Sequence, residues 1–280
     1  MAGKGITSQM QAQPTETSAQ RHHQARGELA DSARRTADLV RSIPDTSIRI
    51  PRSDWTVGEA AAHLVVVMGW FSDWAGGGRS LTENLDELGS VNARAIADVP
   101  ERDGVELADR LLANVQHFLD TSASLPADYK IAWHEGYPVS LGALVWIGVG
   151  EMVIHGYDIA RAAKKRWPIN RQIACQIMQG AGEAWPLFVH RKNVKGVTAS
   201  YEISMRGGPK QVFRFVDGRL TVEPPSSAPV DCRISADPVA FLLVGYGRVS
   251  QWPQIAQGKM VAWGRKPWLG VKFRSLLRKP

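Results

Sequence analysis

The sequence predicts two domains, the first mainly helical and the second α+β. Three observations carry this. Apolar residues recur at helical spacing in four long segments upstream of Lys164. From Val197 the period shortens to the alternation of half-buried strands. At 280 residues the chain is long enough for two ordinary cores. The expected partition is a polar tail over 1–24, a helical-bundle domain over 25–192 and a small α+β domain over 193–280.

The first helix is predicted from Ala25, where Leu29, Ala33, Leu39, Val40 and Ile43 line one face, to the residue before Pro44. Thr56 and Glu59 fit a capping box, so a second helix starts there and ends at Gly76-Gly77-Gly78. Its apolar residues occupy almost every side, which marks a core helix. After a polar connection, Leu107, Leu111, Leu112, Val115, Phe118 and Leu119 stripe a third helix over 101–124, closed by Pro126. Ser140 is a suitable N-cap for a fourth, reaching about Lys164. A fifth is expected over 171–189, interrupted at Trp185-Pro186. Strands follow at 197–205, 211–216, 220–222, 230–234 and 259–262, with Asp217-Gly218 as a hairpin turn. Segments 238–244 and 267–277 read as helices on that sheet.

A hydrophobic content of 44% excludes a disordered chain, and 34 basic against 27 acidic residues give a net charge of +7 that favours acidic partners. Two distant cysteines, Cys175 and Cys232, make no disulfide framework, and a reducing, cytoplasmic setting is expected. The apolar run from Leu141 to Ile154 is the nearest approach to a membrane span, and Glu151 interrupts it. No signal peptide, phosphate loop or dinucleotide fingerprint is read. Near the C-terminus, Trp263, Trp268 and Phe273 interleave with seven basic residues, yet the stripe of Leu269, Phe273, Leu276 and Leu277 reads as a cap on the sheet. Neither a nucleic-acid nor a membrane surface is expected there.

The chemistry concentrates in the fourth helix. Glu151 and His155, four residues apart, project from one helical face and can hold one ion between them. His63 is a lone imidazole in the apolar run of the second helix and is the third candidate ligand; His134 and Glu135 compete for that place. Two imidazoles and one carboxylate suit a catalytic zinc site with an open position, and equally the facial set of non-haem iron. Gly148 is expected to leave space beside the ion, and Asp158 to orient His155. In the competing reading, His63 and His155 are core histidines on backbone carbonyls and Glu151 pairs with an arginine. His22, His23, His117 and His190 fit surface roles.

Two stretches carry a resemblance. The first is Trp55-Thr-Val-Gly-Glu-Ala-Ala-Ala-His63-Leu with Glu151-Met-Val-Ile-His155-Gly-Tyr-Asp158-Ile-Ala-Arg161. It resembles the mycothiol-dependent maleylpyruvate isomerase family, a branch of the DinB-like four-helix bundles. The second, Asp237-Pro-Val-Ala-Phe-Leu-Leu-Val-Gly-Tyr-Gly-Arg248 with Gly258-Lys-Met-Val-Ala-Trp-Gly264, looks like the sterol-carrier-like domain that often follows that bundle. The resemblance implies that His63, Glu151 and His155 ligate a divalent metal, zinc foremost, and that mycothiol is the cosubstrate. It also implies an electrophilic or unsaturated acid as substrate and either isomerase or S-transferase activity. Arg248 becomes a candidate catalytic, anion-binding residue facing the bundle, although Val244-Gly-Tyr-Gly-Arg248 departs from the simpler Leu-Leu-Gly-Arg pattern. A metal-dependent hydrolase and a non-catalytic carrier of an apolar ligand are the alternatives.

Overall fold

Helix α1 spans Ser18–Arg41 and begins at a capping box between Thr17 and Gln20, so helix occupies part of what the sequence reading assigned to a tail. Gln20 at the third helical position supplies the reciprocal contact that a polar, apparently unpatterned stretch conceals. The structure, a computed structural model, describes residues 17–80 and 82–278; the remainder of the expected tail lies outside them.

Helix α2 (Val57–Ala75) starts at the Thr56/Glu59 capping box and stops at Gly76, as its sequence dictates. Helix α3 (Leu88–Ala97) lies in the segment read as a polar connection, where only Ile96 of its ten residues is buried. Helix α4 (Gly104–Thr121) is capped by Asp103. A short hairpin, β1 (Lys130–Ala132) and β2 (Pro138–Ser140), leads to α5 (Leu141–Ala162), with Ser140 accepting from the Ala143 N–H. Helices α1 and α2 each pack against both α4 and α5. Polar ties fix the packing: the half-buried Asn114 amide donates to the Val65 carbonyl at 2.8 Å, and the buried Thr36 hydroxyl to that of Met152 at 3.2 Å. Helix α5 is long and apolar enough to cross a membrane by length and composition, against the expectation that Glu151 would disqualify it, but 83% of its most apolar stretch is buried inside the fold.

The expected helix over 171–189 is shorter. Helix α6 (Arg171–Gly180) gives way to a 3₁₀ stretch, Ala181–Phe188, because Pro186 removes a donor and Gly180 and Gly182 weaken the turn. Then comes a five-stranded sheet of β3 (Ala199–Met205), β4 (Lys210–Val216), β5 (Arg219–Glu223), β6 (Cys232–Ala236) and β7 (Met260–Trp263), ordered β5-β4-β3-β6-β7. Only the β3–β6 pair is parallel. Asp217 and Gly218 both have positive φ, as the hairpin signal requires. Helix α7 (Pro238–Gly245) and α9 (Leu269–Phe273) bring Phe241 and Phe273 onto the sheet, while α8 (Gln251–Ala256) stands outside it with Trp252 exposed. Phe273 meets Tyr201 and Phe213 edge to face, an arrangement worth about 1 kcal/mol per pair beyond area burial. Helix α6 contacts both α5 and α7, so the sheet region is carried against the helix bearing Glu151 and His155.

Candidate metal centre

His63 lies in the second turn of α2 and is 5% exposed; Glu151 and His155 face it from the middle of α5. One carboxylate oxygen of Glu151 stands 3.5 Å from His63 Nε2 and 3.3 Å from His155 Nε2. One ligand atom from each residue lies within 4.8 Å of the others. Those separations suit a shared cation: two ligands about 2.0–2.1 Å from a tetrahedral zinc are about 3.3 Å apart. The Nδ1 atoms of both histidines are buried without hydrogen-bond partners, so no backbone carbonyl fixes either ring. This counts against the core-histidine reading. Trp55 takes that part, its indole 4.8 Å from the His63 ring and 5.8 Å from that of His155, centroid to centroid.

Burial favours the neutral forms of Glu151 and His63. It pushes the Glu151 carboxyl up, but the facing imidazoles of His155 and His63 outweigh it and hold the carboxyl well below the ordinary range. At His63 burial dominates and lowers the imidazole despite Glu151. Neutral imidazole and ionised carboxylate are the forms that bind a metal.

The rivals for the third position stand elsewhere. Glu135 accepts from the Leu85 N–H at 2.7 Å and pairs with Arg191 at 2.9 Å, a structural use of its charge. His134 packs its ring on Trp133 and Trp74. Two supporting roles also differ from expectation. Gly148 does not open space beside the centre: a Cβ there would meet Leu29 at 3.2 Å and Phe71 at 3.3 Å, so this glycine lets α5 approach α1 and α2. Asp158 is 3.8 Å from His155 Nδ1, beyond hydrogen-bond reach, and instead holds Arg248 by two contacts of 2.9 and 2.7 Å.

The centre opens into a cavity of about 360 Å³. Its wall is aromatic, with Trp55, Trp70, Trp74, Trp133 and Trp185, and the sheet region adds Tyr246, Gly247 and Arg248. Sequence reasoning passed over these tryptophans, since an aromatic at helical spacing reads as core. Burial holds the His134 imidazole down to about 4, the charges of Glu151 and Glu135 offsetting part of the effect. The unfolded chain takes up this proton near 6.5, the folded chain only near 4, so the unfolded state binds more protons between them. Stability is therefore lost as pH falls through that window, by up to about 3 kcal/mol. His134→Gln is expected to flatten this acid limb in denaturant melts from pH 7 to 4; an unchanged slope would contradict it.

A sequence model of the mycothiol maleylpyruvate isomerase N-terminal domain matches residues 12–160, just over half of the chain and inclusive of all three clustered residues. The chain belongs to the mycothiol maleylpyruvate isomerase family. Family membership agrees with the wider fold: a crystal structure of the mycothiol-dependent maleylpyruvate isomerase superposes with a TM-score of 0.50 at 13% identity, covering 88% of this chain and 92% of that one. A histidine-to-alanine variant of that isomerase superposes equally, at 14% identity with the same coverage. At this identity the likeness concerns the fold, helical first and α+β after. A ubiquinone synthesis protein aligns over 36% of this chain and 91% of its own at 14% identity, but a TM-score of 0.31 carries no argument. No curated protein matches the chain.

Proposed function

We propose that this family member is a divalent-metal-dependent enzyme that uses a low-molecular-weight thiol, mycothiol, as its nucleophile, acting as an isomerase of maleylpyruvate type or as an S-transferase. The observation that carries the reading is the convergence of His63, Glu151 and His155 at ligand-to-ligand spacing on the wall of a cavity large enough for a small molecule. Zinc is the ion this donor set suits first.

A bound divalent cation supplies a thiolate at neutral pH by stabilising the charged form of the thiol. The protein's own groups do the rest. Trp55 packs both imidazoles in place, and the other tryptophans give the cavity beside them an aromatic wall. Asp158 holds Arg248 so that its guanidinium faces the cavity, where it receives a carboxylate of an electrophilic or unsaturated acid. In an isomerase the thiolate adds to a conjugated double bond, the bond between the former alkene carbons rotates, and the thiolate leaves. In a transferase it stays attached. We read the fold as a DinB-like bundle over about 25–192 followed by a sterol-carrier-like domain over 193–280, working in a reducing, cytoplasmic setting that suits the free thiols Cys175 and Cys232.

The carrier alternative has less support, because the space enclosed between the sheet and α7 and α9 is about 20 Å³, room for about one water. A metal-dependent hydrolase shares the centre but needs no thiol. Turnover of maleylpyruvate by the zinc-loaded protein, with and without mycothiol, separates the readings. Thiol-dependent isomerisation, reduced mainly through KM in Arg248→Gln, is the expected result. Equal turnover without thiol would overturn it.

A further inference from the structure

The tip of the loop before α2 is strained. Ser53 N–H donates to the Ile50 carbonyl at 3.1 Å, closing a turn with Pro51 second and Arg52 third. Arg52 has a φ of 68°. That third position is where glycine or asparagine is the relaxed choice, and a long side chain there is an outlier that invites a functional account. The base of the loop leaves the tip no easy alternative. Ile50 N–H donates to the Trp55 carbonyl at 2.9 Å, and Arg49 bridges Thr56 in antiparallel fashion. Ile50 is buried, and Trp55 is pressed on the two imidazoles.

Arg52 is exposed and lines the same cavity as the centre. Three guanidiniums reach that cavity, and their charges are met differently. Arg248 is paired with Asp158. Arg161, on the last turn of α5, lies over the Tyr157 ring at 5.4 Å. Among the described residues neither Arg161 nor Arg52 forms an ion pair with a carboxylate. The cavity thus presents two uncompensated cations apart from the Asp158-bound arginine.

We propose that Arg52 is a specificity residue: its strained turn presents the guanidinium at the cavity rim, where it receives a carboxylate of the ligand. The inference rests on the proposed function only in taking this cavity as the ligand site. The ligand class it selects is a small carboxylic acid. Guanidinium recognises carboxylate by paired N–H donors, whereas a lysine at the same place offers only a point charge.

The test is a titration of intrinsic tryptophan fluorescence with glutarate, using dimethyl glutarate as the uncharged control, on metal-loaded and on EDTA-treated full-length protein. The parent chain is expected to bind glutarate saturably and the ester not at all. Arg52→Asn, which tolerates the turn's positive φ, is expected to raise the glutarate Kd about tenfold or more, the scale of one charge-assisted contact. Its Tm should equal or exceed that of the parent, since the backbone is relaxed. Arg52→Lys should raise Kd by less. Absence of saturable glutarate binding by the parent, equal Kd in Arg52→Asn and parent, or a shift confined to the metal-loaded form would overturn the proposal. Because none of these readouts uses thiol or turnover, failure of the enzymatic reading would leave them intact.

Discussion

His63→Ala is expected to lose the metal ion, with affinity reduced by more than about 100-fold, because altering groups that merely orient ligands already costs roughly 10–100-fold. Activity should fall with it. The imidazole is 5% exposed, so alanine also leaves a hole beneath Trp55 and a lower Tm is expected for that reason alone. Glu151→Gln separates the two effects, since it keeps the volume and removes the charge that faces both Nε2 atoms. It should bind metal poorly with a smaller fall in Tm than His63→Ala, since no cavity is left. Stoichiometric metal in both purified variants, measured by elemental analysis, would contradict the assignment.

The largest effect on stability is expected at Gly180, the last residue of α6. A Cβ there would lie 2.1 Å from Cδ1 of Trp146 and 2.7 Å from its Cβ. Rotation of the indole cannot relieve the second contact, because a Cβ moves only with its backbone. Gly180→Val should therefore push α6 off α5 and cost about 3 kcal/mol, at the upper end for overpacking. That corresponds to a fall in Tm of roughly 6–12 °C. Metal content should be retained, since the atoms nearest the added Cβ belong to Trp146 and to none of the three clustered residues. Calorimetry of the variant checks the claim, and an unchanged Tm would refute the close approach.

What could be read in advance follows from how local each signal is. The capping box at Thr56 and Glu59, the cap at Ser140 and the Asp217-Gly218 turn are decided within a few residues, and the fold has each of them where the sequence puts it. A buried imidazole in the apolar run of α2 and an E-x-x-x-H pair on α5 were equally visible. Their meeting depends on the packing of α2 against α5, which no window of sequence contains. Asp158 illustrates the limit: helical spacing offers it to His155, but Arg248, ninety residues away in sequence, takes the carboxylate. Helix α3 was missed because its single buried side chain leaves little apolar pattern. Arg52 carried no pattern at all, its interest lying in a backbone angle.

The central claim is that three side chains from two distant helices hold an ion with a position free for sulfur. Replacing the ion with cobalt and titrating the protein with mycothiol while recording the visible spectrum tests it most directly. The account predicts one cobalt per chain and a saturable spectral change as thiol joins the ion. Stoichiometric cobalt whose spectrum is indifferent to thiol, or no cobalt bound at all, would contradict it.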